Sequence, residues 1–412
     1  MENGKFLYYL MMGFGFISFI TLAGGNILLG LATLFFFIYM YQNREAIVIA
    51  PEVKQLGYVV GFFLLTMLLS ALFSGDLSKG LKNWADLWIW RMMPCVIMVL
   101  ALNEYAKTKR VMLAALMGIA VGFCCILWQG MHGNLRAPGF FGNPMTFGGY
   151  LCVYLPLILV CFLDKSILGK NRVVAGGLFL LGFAALIING TRGAWVALAP
   201  VFIILIGYYG LQNKKLLAIC LVFLVVAGGL LSTSKNFTYK LNTTIKRTDA
   251  STRERYAIWE GAFNMFKDHP LLGVGLGQYK DNYQKKYILE KARNKKLTHA
   301  HNNVMQMLAE NGILGCVGFL SLVFYIIGKN CLDFLKRRCP YSLVIVASTF
   351  ALFVQGLTEY NFGNSAVMKS YWLLLGCMLV LKLWAKHSLV NKADKVEALR
   401  KEKNRCKDLQ KN

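Results

Sequence analysis

The chain has 412 residues, of which 57% are hydrophobic and only 16% charged, with a formal net charge of +25; its mean hydropathy is +0.50. A soluble domain carries about 25% charged residues. Here the charges sit in clusters between long apolar runs, which excludes an ordinary soluble enzyme and points to an all-α polytopic membrane protein. The basic excess follows the connecting segments rather than one patch, so nucleic acid is not an expected partner.

In chain order, the first apolar run, "FLYYLMMGFGFISFITLAGG", is long enough to span and is soon followed by a second. It reads as a mature helix rather than a cleaved signal. About twelve spans are expected, near 6–23, 26–41, 57–74, 88–103, 111–128, 146–163, 173–190, 193–210, 215–232, 311–328, 341–359 and 367–385. Each covers a hydrocarbon core of about 30 Å at about 1.5 Å per residue. The weakest is 88–103, because Arg91 lies near its start.

With a cytoplasmic N-terminus, "QNREAIVIAPEVK", "EYAKTKR", "DKSILGKNR", "LQNKK" and "KNCLDFLKRRC" all fall inside. They hold most of the short-loop Lys and Arg, as the positive-inside rule requires. The expected organisation is nine spans in 1–232, a periplasmic loop with amphipathic helices at 233–301, three spans in 302–385 and a basic cytoplasmic tail at 386–412. That tail is a solvated terminus that can lie against anionic membrane lipid. Long loops translocate whatever their charge, so the lysines of 233–301 do not contradict this topology. None of the 11 cysteines lies in that loop and no CxxC pair occurs, so neither a disulfide scaffold nor a cysteine metal site is expected.

Polar residues at membrane edges are costly unless they face a cavity or a partner. Four outer clusters stand out. "NLRAPGFFGNPMTFGGY" places Arg136 before a Pro- and Gly-rich turn. "IINGTRGAWVAL" joins two spans by almost nothing and holds Arg192 in the hairpin. A charge there must snorkel or bind something, and an anion satisfies it. In "STRERYAIWEGAFNMFKDHPLLGVGLGQY", Ile258, Ala262, Met265 and Phe266 recur at helical spacing. This amphipathic helix ends at "DHP" and carries Arg255 and Trp259 one turn apart. Its "GVGLG" lacks the dinucleotide spacing and reads as a flexible or close-packed turn.

The fourth cluster is "HAHNNVMQMLAENGILG". A helix can begin at Asn302, with Gly312 and Gly315 allowing close packing of the next span, and His301 sits at its mouth. His299 and His301, with no carboxylate close in sequence, make a weak metal site, and none is expected. Histidine accepts a proton near neutral pH, whereas arginine is a permanent cation whose fork suits phosphate oxygens. Together they fit one reaction: a hydroxyl, deprotonated by histidine, attacks a carbon whose phosphate or pyrophosphate leaving group is held by arginines. No D-x-D, Walker loop, G-x-S-x-G or H-E-x-x-H occurs. A lipid-linked phosphate donor fits a site at the outer face, where nucleotide sugars are scarce.

Together "RAPGFFGNP", "TRGAWVAL", "RYAIWEGAFNMFKDHPLLGVGLGQY", "HAHNNVMQMLAENGILG" and "GLTEYNFGNSAVMKSYWLLLG" resemble the signature segments of the bacterial O-antigen ligase/polymerase family, from about residue 134 to 380. The strongest single match is H-N, nine residues, then G-x-x-G, met by His301, Asn302, Gly312 and Gly315. The resemblance implies a GT-C-like membrane glycosyltransferase fold with a large periplasmic loop. It implies His301 as the essential histidine, Arg192 and Arg255 as phosphate-binding residues with Arg136 as a further donor contact, and Asn302, His299 and Trp259 in support. His299, two residues upstream, is an extra histidine, and the Asn302 spacing favours His301 as the base. The implied reaction is inverting and needs no metal or other cofactor. Its donor is undecaprenyl-pyrophosphate-linked glycan and, for a ligase, its acceptor is a sugar hydroxyl of lipid A–core. The implied location is the bacterial inner membrane, with the site facing the periplasm. A polymerase or other surface-polysaccharide transferase of the family is the alternative. A transporter of lipid-linked sugar fits less well, because neither midplane charges nor internal repeats are evident.

Overall fold

The computed structural model describes residues 2–134, 136–216, 250–290 and 296–386, with isolated positions 218, 220, 222, 242 and 292. Among these, all regular structure is helical. The chain runs through α1 (Glu2–Ile17), α2 (Leu22–Gln42), α3 (Pro51–Leu72), α4 (Leu77–Trp84), α5 (Arg91–Leu100), α6 (Tyr105–Met131), α7 (Pro144–Leu163), α8 (Arg172–Asn189), α9 (Arg192–Gln212), α10 (Ala250–Asp268), α11 (Asn303–Arg337) and α12 (Pro340–Gln355). A further helix, α13, spans Ser365–Lys386. Eight helices among the described residues are long and apolar enough to cross a membrane, so the chain is a multi-pass membrane protein. The span expected at 215–232 lies almost wholly outside the described residues.

The starts follow local chemistry. Thr21 caps α2 and Asn143 caps α7 through side-chain oxygens, while Pro51, Pro144 and Pro340 occupy the first helical position, where no N–H is needed. Two helices form the centre: α7 and α13 are buried along nearly their whole length, whereas α2, α3 and α8 keep most of their surface outside the bundle. An inner helix must satisfy its polar groups within the protein. Accordingly, Tyr150 donates to the Ser18 carbonyl at 2.8 Å and Tyr154 to the Ser370 carbonyl at 3.2 Å.

The span expected at 88–103 is corrected. Residues Ala85–Trp90 form a π-helical turn, and α5 runs only 10 residues with Pro94 inside it. Arg91 is the cause. It is 4% exposed, pairs with Asp86 across the π turn at 3.4 Å and donates to the Phe362 carbonyl at 3.2 Å. An inward guanidinium tied to a loop is incompatible with a straight lipid-facing helix.

The helix expected from Asn302 and the span expected from 311 are one element, α11, broken at Gly312 with φ 61°. The break exposes backbone groups that the glycine-rich loop after α10 takes up. Ile313 N–H donates to the Pro270 carbonyl at 2.8 Å, Val274 N–H to Ala309 at 2.9 Å and Gly275 N–H to Glu310 at 3.0 Å. "GVGLG" is therefore a close-packed turn. A Cβ on Gly273 would stand 2.3 Å from the Glu310 carbonyl carbon. Beyond the break, Gly315 and Gly318 let α3 approach through Met67 and Thr66.

Candidate active site

Three segments meet at the N-terminal end of α11: the stretch 296–302, helix α10, and the loop 356–364 between α12 and α13. The asparagines of "HNN" build the junction. Asn302 accepts from Val304 N–H at 2.8 Å and Met305 N–H at 3.1 Å, capping α11, and donates to the Leu357 carbonyl at 2.9 Å. Asn303 N–H donates to the Gly356 carbonyl at 2.7 Å, and its side chain donates to Asn361 Oδ1 at 2.8 Å. Asn361 in turn donates to the Leu352 carbonyl at 2.7 Å. This clamp fixes the 356–362 loop beside residue 301.

It delivers a carboxylate to the histidine. His301 Nδ1 lies 3.0 Å from Glu359 Oε2, and Glu359 is 8% exposed. An ionised carboxylate can only accept, so Nδ1 carries the hydrogen of this bond and Nε2 is the nitrogen left for proton exchange. Burial pushes the Glu359 carboxyl up, but the hydrogen bond from His301 and the nearby imidazoles and Arg255 guanidinium outweigh it and hold it below its ordinary value. Backbone strain marks the same spot. His301 has φ 48°, one of only two positive values at non-glycine residues among the described ones.

The two histidines differ. Their rings are 4.1 Å apart, and His301 N–H donates to His299 Nδ1 at 3.3 Å. Burial first, then the neighbouring charge of His301, pushes His299 down to about 4 against the pull of Glu359. His299 is thus a neutral acceptor whose Nδ1 is already engaged. His299, His301 and Glu359 offer ligand atoms within 4.8 Å of one another, so this trio could hold a metal.

The remaining expected residues fall as follows. Arg255, half-buried on α10, is near enough for its charge to act on Glu359. Trp259, one turn on, donates from Nε1 to the Ala300 carbonyl at 3.1 Å and so locks α10 to the histidine stretch. Arg192 opens α9, and a Cβ on its neighbour Gly193 would stand 2.3 Å from Thr358 Oγ1. The hairpin therefore abuts the residue before Glu359. Arg136 is exposed in a loop tied to that hairpin through Asn189, which donates to the Ala137 carbonyl at 2.9 Å. The structure groups His299, His301, Asn302, Arg255 and Trp259 around Glu359, sets Arg192 beside them, and leaves Arg136 at the rim.

Glu359 and Arg91 were not foreseen as site residues. Glu359 stands within a resembling segment, but nothing in its spacing pairs it with a residue 58 positions earlier. Arg91 shows only as a charge that spoils a span, yet its bond to Phe362 supports the same loop from below.

The arrangement presents an oriented imidazole beside the Arg255 guanidinium, the equipment for proton removal beside an anionic leaving group. Residues 177–320 match the sequence profile of a family described as O-antigen ligase. Over 357 residues, 79% of this chain and 87% of the other, the sequence is 23% identical to an uncharacterized protein of Haemophilus influenzae. It is 30% identical over 154 residues to proteins of Rickettsia prowazekii and Rickettsia typhi provisionally named polysaccharide ligases, a match spanning 35% of each chain. The profile match contains Arg192, Arg255, His299 and His301; Arg136 and Glu359 lie outside it.

Proposed function

We propose that this chain, whose residues 177–320 belong to the O-antigen ligase family, is a membrane glycosyltransferase that acts as an O-antigen ligase. It moves glycan from undecaprenyl-pyrophosphate to a sugar hydroxyl of lipid A–core at the periplasmic face of the inner membrane. His301 Nε2 takes the proton from the acceptor hydroxyl as its oxygen attacks the anomeric carbon. The bond from that carbon to the pyrophosphate oxygen breaks from the opposite side, so configuration inverts. Arg192 and Arg255 hold the departing pyrophosphate, and Arg136 at the rim meets the donor as it enters. Glu359 fixes the tautomer and orientation of His301 and stabilises the imidazolium that forms. No metal takes part.

The observation that carries this reading is the 3.0 Å bond between His301 Nδ1 and Glu359. It selects one of two adjacent histidines and leaves its other nitrogen free. An ion shared by His299, His301 and Glu359 would consume that nitrogen or replace that bond. The test is to incubate the purified protein in lipid with lipid-linked glycan and lipid A–core, with and without EDTA. The expected result is glycosylated lipid A–core in both. Glycan lengthened without capping lipid A–core would assign a polymerase, and no covalent product would remove the enzyme reading. Loss of activity in EDTA, restored by added metal, would contradict the metal-free route.

A further inference from the structure

At the far end of α11 from the histidines lies a basic pocket of about 220 Å³ that the transfer reaction does not use. Arg337 and Arg338 close α11, Pro340 and Ser342 begin α12, and Lys382 and Lys386 end α13. Lys382 is matched by Asp333 at 2.9 Å, and Lys386 by Glu52 on α3. The two guanidiniums have no ion-pair partner among the described residues. Arg338 stacks over Tyr208 and Phe334, at 5.8 Å and 5.7 Å from the ring centroids, and so is held in place. Among the described residues the pocket thus has two cations in excess, and it opens at the N-terminus of a 16-residue helix, whose dipole favours an anion.

A second observation points to a ligand. Ser342 lines this pocket, is 0% exposed, and its hydroxyl has no hydrogen-bond partner. Serine in the first turn of a helix ordinarily bonds a nearby backbone group, and a buried hydroxyl left alone is destabilising. A phosphate oxygen would satisfy it. On α13, Leu379, three residues before Lys382, lines a separate apolar groove together with Val53 and Lys54 of α3. An acyl chain can lie there while its headgroup sits among the cations.

We propose that the pocket formed by Arg337, Arg338, Lys382, Lys386 and Ser342 binds a phosphate-bearing anion. The candidate sources are the headgroup of an anionic phospholipid and free phosphate. The site stands apart from the transfer chemistry and does not depend on it.

The test is native mass spectrometry of the full chain in detergent, with dioleoyl phosphatidylglycerol or dioleoyl phosphatidylcholine added, repeated in inorganic phosphate. Wild type should retain phosphatidylglycerol at least five-fold over phosphatidylcholine. The double variant Arg337→Gln/Arg338→Gln and the single variant Ser342→Ala should each bring that ratio close to one. Arg110→Gln, an exposed arginine at the same end of the bundle, should leave it unchanged. If inorganic phosphate displaces the lipid from wild type, the ligand is free phosphate in the same pocket. Ser342→Ala removes no bond from the empty protein, so its thermal midpoint in phosphatidylcholine should hold or rise, and its loss of lipid is then not a folding defect. Equal retention of both lipids by wild type, or an equal loss in Arg110→Gln, would overturn the proposal.

Discussion

The two ends of α11 solve the problem of polar groups at a membrane edge in opposite ways. At its end near Arg337, the buried lysine is matched, and the unpaired charge among the described residues is confined to Arg337 and Arg338 at the pocket. Lys382 bonds Asn330 at 2.8 Å and Asp333 at 2.9 Å, in a buried network that fixes α11 against α13. At the histidine end the asparagines are spent on backbone and on one another, and the titratable groups are left facing each other with capacity to spare. A satisfied network makes one arrangement rigid. An incomplete one, held in place by a rigid neighbour, can do chemistry. The asparagine clamp of 302, 303 and 361 is that neighbour, and the strained backbone of His301 persists because the clamp holds it.

The variants that break this contrast follow in order of size. His301→Ala should lower transfer by about 10²–10⁴-fold, the usual contribution of a general base, with protein accumulation unchanged when measured in membranes. Arg255→Ala and Arg192→Ala should each cost about 10²–10³-fold, as expected when one group stabilising a developing charge is lost, visible in turnover with lipid-linked donor. Glu359→Gln keeps the shape but not the charge, and should cost about 10-fold through a poorly oriented imidazole, with donor affinity nearly unchanged. A fall equal to that of His301→Ala would instead make Glu359 indispensable to the fold of the loop.

The smallest effect is on stability against pH. His299 is held down to about 4 by burial, below its ordinary value of about 6.5. The unfolded chain therefore binds a proton between those values that the folded chain refuses, and stability falls as pH falls through that window. Glu359, held below its ordinary value by His301, adds stability that is lost at the acid end of the same window. His299→Gln should flatten the decline of the thermal midpoint between about pH 6.5 and 4 while leaving Glu359's share at the low end.

Much of this was legible in the sequence, for physical reasons. Apolar runs of span length must be helices in lipid, and α10 declared itself through Ile258, Ala262 and Met265, all of which are buried. The glycines at 312 and 315 signalled close packing, and both are closely packed, Gly312 against Leu271 and Gly315 against Met67, but the break in α11 at Gly312 was not signalled. The short, broken α5 was not legible, because Arg91 turns inward only once Asp86 and the Phe362 carbonyl exist in space. The pairing of His301 with Glu359 was hidden in the same way. Two helices and a hairpin of sequence separate them, and the asparagine clamp that joins them is a tertiary product.

The reading rests on His301 as the proton acceptor, and chemical rescue tests it most directly. Residue 301 has φ 48°, a conformation that glycine accepts without strain, so His301→Gly should fold and leave a cavity where the ring stood. Transfer from lipid-linked glycan to lipid A–core by this variant should be lost and then partly restored by free imidazole in a saturable manner. Transfer near the wild-type rate without imidazole, or no restoration in a folded variant that still binds donor, would contradict the account.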